Sequence, residues 1–327
     1  MNVLLMGHFK ETYDEGVRIA TRYIAETLKN KEISLKMVNI TSINEWKKAR
    51  TFKPDIIHFF LTPTLRGLFV AQLVSFFFPG AKTVISALHP SIPNSRILKI
   101  FRFDLVLTQS EESEKLFRLL GFQTKFLPNG VDVNRFRPVD LKVKEKLRKK
   151  YKIPQDKFVV LHLASLKNER NLDSLIKLQN DDGNIVLIVG RENEKVDLEI
   201  LRKLKKAGCK VWLKHFQNIE DIYNLADCYV FPTMNKSACI ETPLSVLEAM
   251  ACNLPVVTTR FGALPRMFEE GDGLFFADDE KGILRKVTIV KKTSLTVRTR
   301  DKIMEYSWDK VGSRLLEIYK ALEGDKG

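Results

Sequence analysis

Four cysteines in 327 residues, Cys209, Cys228, Cys239 and Cys252, form no C-x-x-C pair and no zinc-ligand spacing. They argue against a disulfide framework and read as reduced, buried thiols in a cytoplasmic protein. The five histidines build no H-E-x-x-H or other metal-ligating pattern. A G-x-G-x-x-G fingerprint is missing, which disfavours a nicotinamide dinucleotide site. Neither a nucleophile elbow nor a Ser-His-Asp order occurs, so covalent hydrolysis is not indicated. No apolar run is long enough to span a bilayer. The longest, Gly67–Gly80, is interrupted by Gln72 and Ser75. It reads as a mostly buried helix or as a face that meets a membrane. The chain opens directly on Met1-Asn-Val-Leu-Leu-Met6, a buried-strand pattern without a leader signature. Repeats and low-complexity tracts are lacking as well.

Positive charge is what the chain has in excess: 54 Lys and Arg stand against 40 Asp and Glu, a formal net charge of +14. That balance implies an acidic partner, whether nucleotide phosphates, an anionic membrane surface or nucleic acid. No nucleic-acid module accompanies it, so nucleic acid is not expected. The densest basic run, Lys142–Lys152, reads as a solvated helix face or as a contact with membrane or nucleic acid.

Short apolar runs alternate with helical patterns along the whole length. Strand candidates in the first half are 3–6, 35–38, 55–60, 83–88, 104–108 and 125–127. Those in the second half are 158–163, 185–189, 211–216, 228–231, 255–259 and 273–276. Continuous apolar runs of this length suit parallel strands covered on both faces. Val17, Ala20, Ile24 and Leu28 mark a helical stripe over 16–30, and Ser110 is an N-cap candidate for 111–120. Two successive βα series predict an α/β chain of two doubly wound domains. The expected division is 1–138 with the closing segment 307–327, and 139–306, the join lying near Arg135-Phe-Arg-Pro138. The amphipathic segment 307–322 needs a surface to cover.

Ligands of open α/β sheets bind beyond the carboxyl ends of strands, which directs attention to polar residues there. Gly16 follows the first strand at a helix start, where it allows close backbone approach; an ordinary loop glycine is the alternative. His89 ends the run 83–88 and is an active-site candidate. His58 and His162 lie inside apolar runs and read as core positions, and His215 is left open. Ser165, Lys167 and Arg170 follow the first strand of the second half, where the two cations suit a diphosphate; a solvated loop is the alternative. In Glu241-Thr-Pro-Leu-Ser-Val-Leu-Glu248, Thr242 is the expected N-cap and Pro243 the first helical residue, with Leu244 next. The free amides of that turn make an anion site. Glu241 and Glu248 bracket it as hydroxyl acceptors, which together describe a nucleotide-sugar pocket.

Three ordered stretches carry a family likeness: Phe126-Leu-Pro-Asn-Gly-Val-Asp-Val-Asn-Arg-Phe-Arg-Pro138, Ala226-Asp-Cys-Tyr-Val-Phe-Pro-Thr233 and Thr242-Pro-Leu-Ser-Val-Leu-Glu-Ala-Met-Ala-Cys-Asn-Leu-Pro-Val-Val257. Asp104-Leu-Val-Leu-Thr-Gln-Ser110 and the closing Ser307-Trp helix also fit. With these the chain resembles the family-4 glycosyltransferases, retaining nucleotide-sugar enzymes of GT-B fold. The resemblance implies two Rossmann-like domains facing a cleft, the donor mainly on the second and the acceptor mainly on the first. The final helix is expected to cross back onto the first domain. It further implies a nucleoside-diphosphate sugar as substrate, no cofactor and no metal. Glu248 would hold the ribose, and His89 would lie near the reacting sugar. Arg170, Lys167 and the amides beginning at Pro243 would stabilise the leaving diphosphate.

Three positions depart from the family pattern. Ile240 stands where the family has the first of its two glutamates, with Glu241 one residue later. Ser165 occupies the place of a phosphate-binding arginine, leaving Arg170 at the lysine position. The first-domain glycine pair is reduced to Gly16. The expected activity is retaining transfer to an acceptor hydroxyl, lipid- or glycan-linked, by a cytoplasmic protein peripheral to an anionic membrane. The alternatives are a catalytically impaired GT-B scaffold that binds a nucleotide or partner, and a GT-B sugar-nucleotide epimerase.

Overall fold

A computed structural model describes residues 1–9, 16–89, 96–181, 183–191 and 196–324. Most of the loop between Gly7 and Gly16, and Pro90 after His89, lie outside these residues. The chain divides into two compact units. One comprises Met1–Gly130, Cys239–Pro243 and Tyr306–Gly327; the other comprises Val131–Ala238 and Leu244–Glu305.

In the first unit β1 (Asn2–Gly7), α1 (Gly16–Lys29), β2 (Ser34–Asn39), α2 (Ile43–Ala49), β3 (Ile56–Leu61), α3 (Leu65–Ser75), β4 (Lys82–Ala87), β5 (Leu105–Thr108), α4 (Glu111–Leu119) and β6 (Thr124–Phe126) follow one another. The strands form one parallel sheet in the order β2-β1-β3-β4-β5-β6. All six side chains of β3 are buried, as a strand covered on both faces requires. Leu4, Met6, Ile57, Phe59 and Ile85 of the sheet pack with Trp46, Leu68, Val74 and Phe117 of the helices.

The second unit runs α5 (Leu141–Lys150), β7 (Phe158–Leu163), α6 (Asp173–Gln179), β8 (Asn184–Gly190), α7 (Leu198–Lys206), β9 (Lys210–Leu213), α8 (Glu220–Asn224), β10 (Cys228–Phe231), α9 (Leu244–Ala251), β11 (Val256–Thr259), α10 (Leu264–Met267), β12 (Leu274–Ala277), α11 (Glu280–Lys292) and α12 (Thr299–Ile303). Its parallel sheet has the order β12-β11-β10-β7-β8-β9. This is a Rossmann-type order, with its switch point between β7 and β10. The basic run in α5 is not simply a solvated face. Arg148 is buried, and its guanidinium donates to the carbonyls of Leu225, Gln155 and Lys157 and to Asp227, which Lys144 also engages.

The closing helix α13 (Trp308–Gly324) belongs to the first unit. Trp308 stacks on Tyr23 with ring centroids 5.3 Å apart, and Lys31 Nζ donates to Ser313 at 3.0 Å. The hydroxyl of Tyr319 meets Nδ1 of buried His58 at 2.5 Å, while His58 Nε2 meets Ser86 at 2.8 Å. The helix thus covers the first unit with its apolar side and adds a polar anchor beneath it. Among the described residues no helix is long and apolar enough to cross a membrane.

Candidate functional site

The switch point of the second sheet brings the loop after β7 beside the end of β10. A short 3-10 turn, Asn168–Arg170, follows Ser165 and Lys167 in that loop. Asn171, in the left-handed region at φ 56°, closes it by donating from its side chain to the carbonyl of Pro232, just past β10. Beneath this loop three buried polar atoms have no hydrogen-bond partner: Nε of Arg170, Nε2 of His162 and Oγ1 of Thr233. His162 Nδ1 faces the carbonyl of Val230 at 2.8 Å, so that nitrogen carries the proton and Nε2 is left an acceptor. Burial lowers the His162 pKa to about 4, the carbonyl opposes this, and the Arg170 charge adds to it. An uncommitted Arg Nε, a neutral histidine nitrogen and a hydroxyl without a partner are groups that an oxygen-rich ligand can satisfy.

The hydroxyl of Tyr229 ties this loop to α9. It lies 3.3 Å from the carbonyl of Leu163 at the end of β7 and 2.7 Å from Oγ of Ser245 in the first turn of α9. By helix geometry the amides of Leu244, Ser245 and Val246 have no acceptor within the helix. One turn on, Glu248 Oε2 receives the hydroxyl of Tyr223 at 2.5 Å. Loss of hydration raises the Glu248 pKa above the ordinary carboxylate range, against the Tyr223 hydrogen bond and the charges of Arg135 and Arg191. Ser165, Lys167, Arg170, Leu244 and Glu248 therefore all belong to one face of the second unit, at the carboxyl end of its sheet.

Glu241, Thr242 and Pro243 belong to the first unit, with His89 and Gly16. The amide of Glu241 donates to the carbonyl of Leu88 at 3.2 Å, which sets it beside His89 after β4. Its Oε1 receives the hydroxyls of Ser110 and Ser113, at 2.6 and 2.5 Å, while Oε2 is buried without a partner. Burial raises the Glu241 pKa; the two serines oppose it. Ile240 packs on the start of α1, where a Cβ added to Gly16 would stand 2.8 Å from its Cδ1. That close approach is what Gly16 permits.

Thr242 does not cap α9. The helix begins at Leu244, and the Thr242 hydroxyl is buried with no hydrogen-bond partner. Its carbonyl is held instead by Nδ2 of Asn129 at 3.2 Å, and Gln109 Nε2 holds Asn129 at 2.8 Å. Pro243, just before the helix, has no side-chain acceptor with which to cap its first amides. The polar holders Ser113, Gln109, Asn129, Tyr223 and Tyr229 were not singled out by the sequence. The only signal for Gln109, Asn129 and Tyr229 was membership of the Thr-Gln-Ser110 and Pro-Asn-Gly130 stretches and the run before Thr233; Ser113 and Tyr223 lie outside them. Among the described residues no cluster of three His, Cys, Asp or Glu side chains could hold a metal ion.

Two Rossmann-like units, one carrying cations and free helix amides at its switch point, define the class: GT-B glycosyltransferases share this build. Anabaena HepE, solved with UDP and glucose, has a TM-score of 0.77 at 17% identity, covering 98% of this chain and 100% of that one. Sucrose-phosphate synthase from Thermosynechococcus elongatus has a TM-score of 0.80 at 14% identity, covering 100% of both chains. At these identities the likeness is one of fold. The sequence model of the family described as glycosyl transferases group 1 matches residues 143–307, just over half of the chain, and the chain belongs to that family.

Among curated relatives, a D-inositol 3-phosphate glycosyltransferase of Saccharomonospora viridis is 25% identical over 66% of this chain. The chain spans only 55% of that protein's length. A GDP-mannose-dependent monoacylated alpha-(1-6)-phosphatidylinositol monomannoside mannosyltransferase of Corynebacterium glutamicum is 23% identical over 74% of this chain and 71% of its own length.

Proposed function

We propose that this protein is a retaining glycosyltransferase that moves a sugar from a nucleoside-diphosphate donor to an acceptor hydroxyl on a lipid or glycan. The observation that carries the proposal is the Tyr229 bridge from the end of β7 to Ser245, which sets the Arg170 loop and the first turn of α9 around one anion-favouring position. Arg170 and Lys167 supply positive charge, and the amides of Leu244 to Val246 supply oriented donors. Together they stabilise charge developing on the leaving diphosphate. The step needs no metal ion. Glu248 accepts the ribose hydroxyls, and Tyr223 fixes its orientation. His89, on the family resemblance, orients the transferred sugar. The relative named for GDP-mannose and the neighbour solved with UDP support a nucleotide-linked donor. The protein works peripherally at the cytoplasmic membrane face.

A thermal-shift panel of UDP-, GDP-, ADP- and dTDP-linked sugars, with and without chelator, tests this. One donor should stabilise the protein and a chelator should leave that shift unchanged. Arg170→Ala should cut turnover, and Glu248→Ala should weaken nucleotide affinity. Full turnover with unaltered affinity in the first, or unaltered affinity in the second, overturns the assigned role.

One observation favours a second reading. Ile240 is apolar and both serines engage Glu241 Oε1, so only the buried Oε2 of Glu241 is left to meet a sugar. A nucleotide-binding scaffold would give saturable binding without turnover. An epimerase would convert the donor with no acceptor present.

A further inference from the structure

We propose that the outer face of α3, with the adjoining Lys99–Arg102 segment, is a docking surface for a bilayer that carries anionic phospholipid. It rests on the peripheral membrane contact proposed above, to which it gives a surface and a lipid class, and it stands whether or not the transfer reaction is right. Leu68, Ala71 and Val74 turn one side of α3 into the core of the first unit. The other side carries Leu65, Phe69, Leu73 and, just past the helix end, Phe76, which are 38, 61, 43 and 73% exposed. These positions recur at helical spacing and make one stripe. Gln72, on the same side, accepts the amide of Arg102 at 2.7 Å and so brings the 67% exposed Ile100 alongside. Single exposed apolar residues are ordinary, but five together with two phenylalanines are an interaction surface.

The charge around the stripe selects the partner. From Ile56 to Phe103 the sequence holds no Asp or Glu, while Arg66, Lys82, Arg96, Lys99 and Arg102 are all basic. Of these Lys82 is committed to Asp104 at 3.3 Å, whereas Arg66, Lys99 and Arg102 are exposed. Arg102 Nη1 donates to the carbonyl of Lys99 at 2.7 Å, which braces the segment against itself. Apolar side chains that enter the acyl boundary under a rim of one positive sign match an anionic bilayer, where insertion and charge attraction act together.

Flotation with vesicles of phosphatidylglycerol and phosphatidylcholine in equal parts, against phosphatidylcholine alone, tests the surface. The protein should float with the mixed vesicles at low salt and be released as salt rises. Phe69→Ser with Phe76→Ser should weaken binding at least about tenfold. Arg66→Gln with Lys99→Gln should weaken it and flatten the salt dependence. Leu119→Ser, at a 78% exposed position on α4, should change nothing. Unaltered melting temperature and unaltered nucleotide-induced shift show that a variant is folded; Phe76→Ser alone serves if the double variant is not. Failure of the wild type to float with mixed vesicles at low salt overturns the proposal. So does equal flotation of the phenylalanine variant, or equal binding to phosphatidylcholine alone. A dimer that the serine variants abolish, without vesicle binding, overturns it in favour of a second copy.

Discussion

Ser110 donates its hydroxyl to Glu241 at 2.6 Å across 131 positions of sequence, while the same oxygen accepts the amide of Ser113 at 3.0 Å as the N-cap of α4. One side chain thus both starts a helix and anchors the 239–243 segment within the first unit. Ser110→Ala should cost about 2–4 kcal/mol, the sum of a lost cap and a buried hydrogen bond to a carboxylate. Urea unfolding checks it.

Glu241 itself separates two effects. Glu241→Gln keeps an oxygen for both serines and removes a buried charge, so at pH 7 it should leave stability nearly unchanged or raise it. Glu241→Ala strands two hydroxyls and should cost about 1–3 kcal/mol. The raised pKa fixes the sign of the pH dependence. The folded state holds this proton more tightly, so its contribution is present at low pH and lost as pH rises through the raised value. As pH rises above the ordinary value of 4.5, the wild type should therefore lose more stability than Glu241→Gln.

Tyr223→Phe removes the hydroxyl from Glu248 and leaves the ring among Phe136 and Tyr229. Melting should change little. Donor affinity, measured by calorimetry, should fall about 3- to 10-fold, which corresponds to roughly 1 kcal/mol. Unchanged affinity would show that the orientation of Glu248 does not matter to the donor.

How much of this was legible follows from the range of each interaction. The buried strands declare themselves locally, because Ile56–Leu61 or Phe158–Leu163 must be apolar on both faces. The position of the loop after β7, at the carboxyl end of the sheet, was also foreseeable from the succession of strands and helices. The holders of the site were not. Asn129 looks like a turn residue, and nothing near it in sequence says that it will hold the carbonyl of Thr242, 113 positions away. Arg148 sits in a run whose composition suggests solvent, yet Asp227 and three carbonyls draw it inside. Helix α11 hides behind the β-branched Val287-Thr-Ile-Val290; its Asp279 cap, bonded to the amide of Gly282, is the signal for it. For α3 the expected burial is half right: one side packs in the core, and Phe69 and Phe76 stay in solvent.

His58 predicts an acid weakness in the first unit. Burial lowers its pKa to about 3, so the folded protein keeps it neutral between Tyr319 and Ser86. A lowered histidine pKa gives stability that is complete above the unfolded value near 6.5 and lost as pH falls below it. From pH 7.5 to 5.5 the wild type should lose about 1.4 kcal/mol more than His58→Gln, whose side chain does not titrate. Urea midpoints at the two pH values measure the difference, and equal losses would show that His58 titrates alike in the folded and unfolded protein.

Gly312 tests the seat of α13, because two effects of known size oppose each other there. An alanine in a helix interior gains up to about 1 kcal/mol in propensity. The added Cβ, however, would collide with Cγ2 of Thr27, a buried side chain of α1. Overpacking of that kind costs about 1–3 kcal/mol, so the net effect of Gly312→Ala should be destabilising. The β-branched threonine has little rotameric freedom in a helix with which to retreat. Thr27→Ala with Gly312→Ala should therefore recover most of the loss, and the double-mutant cycle should show a favourable coupling between the two sites. Absence of coupling in thermal unfolding would mean that α1 and α13 adjust as rigid bodies and that the glycine is not what sets their approach.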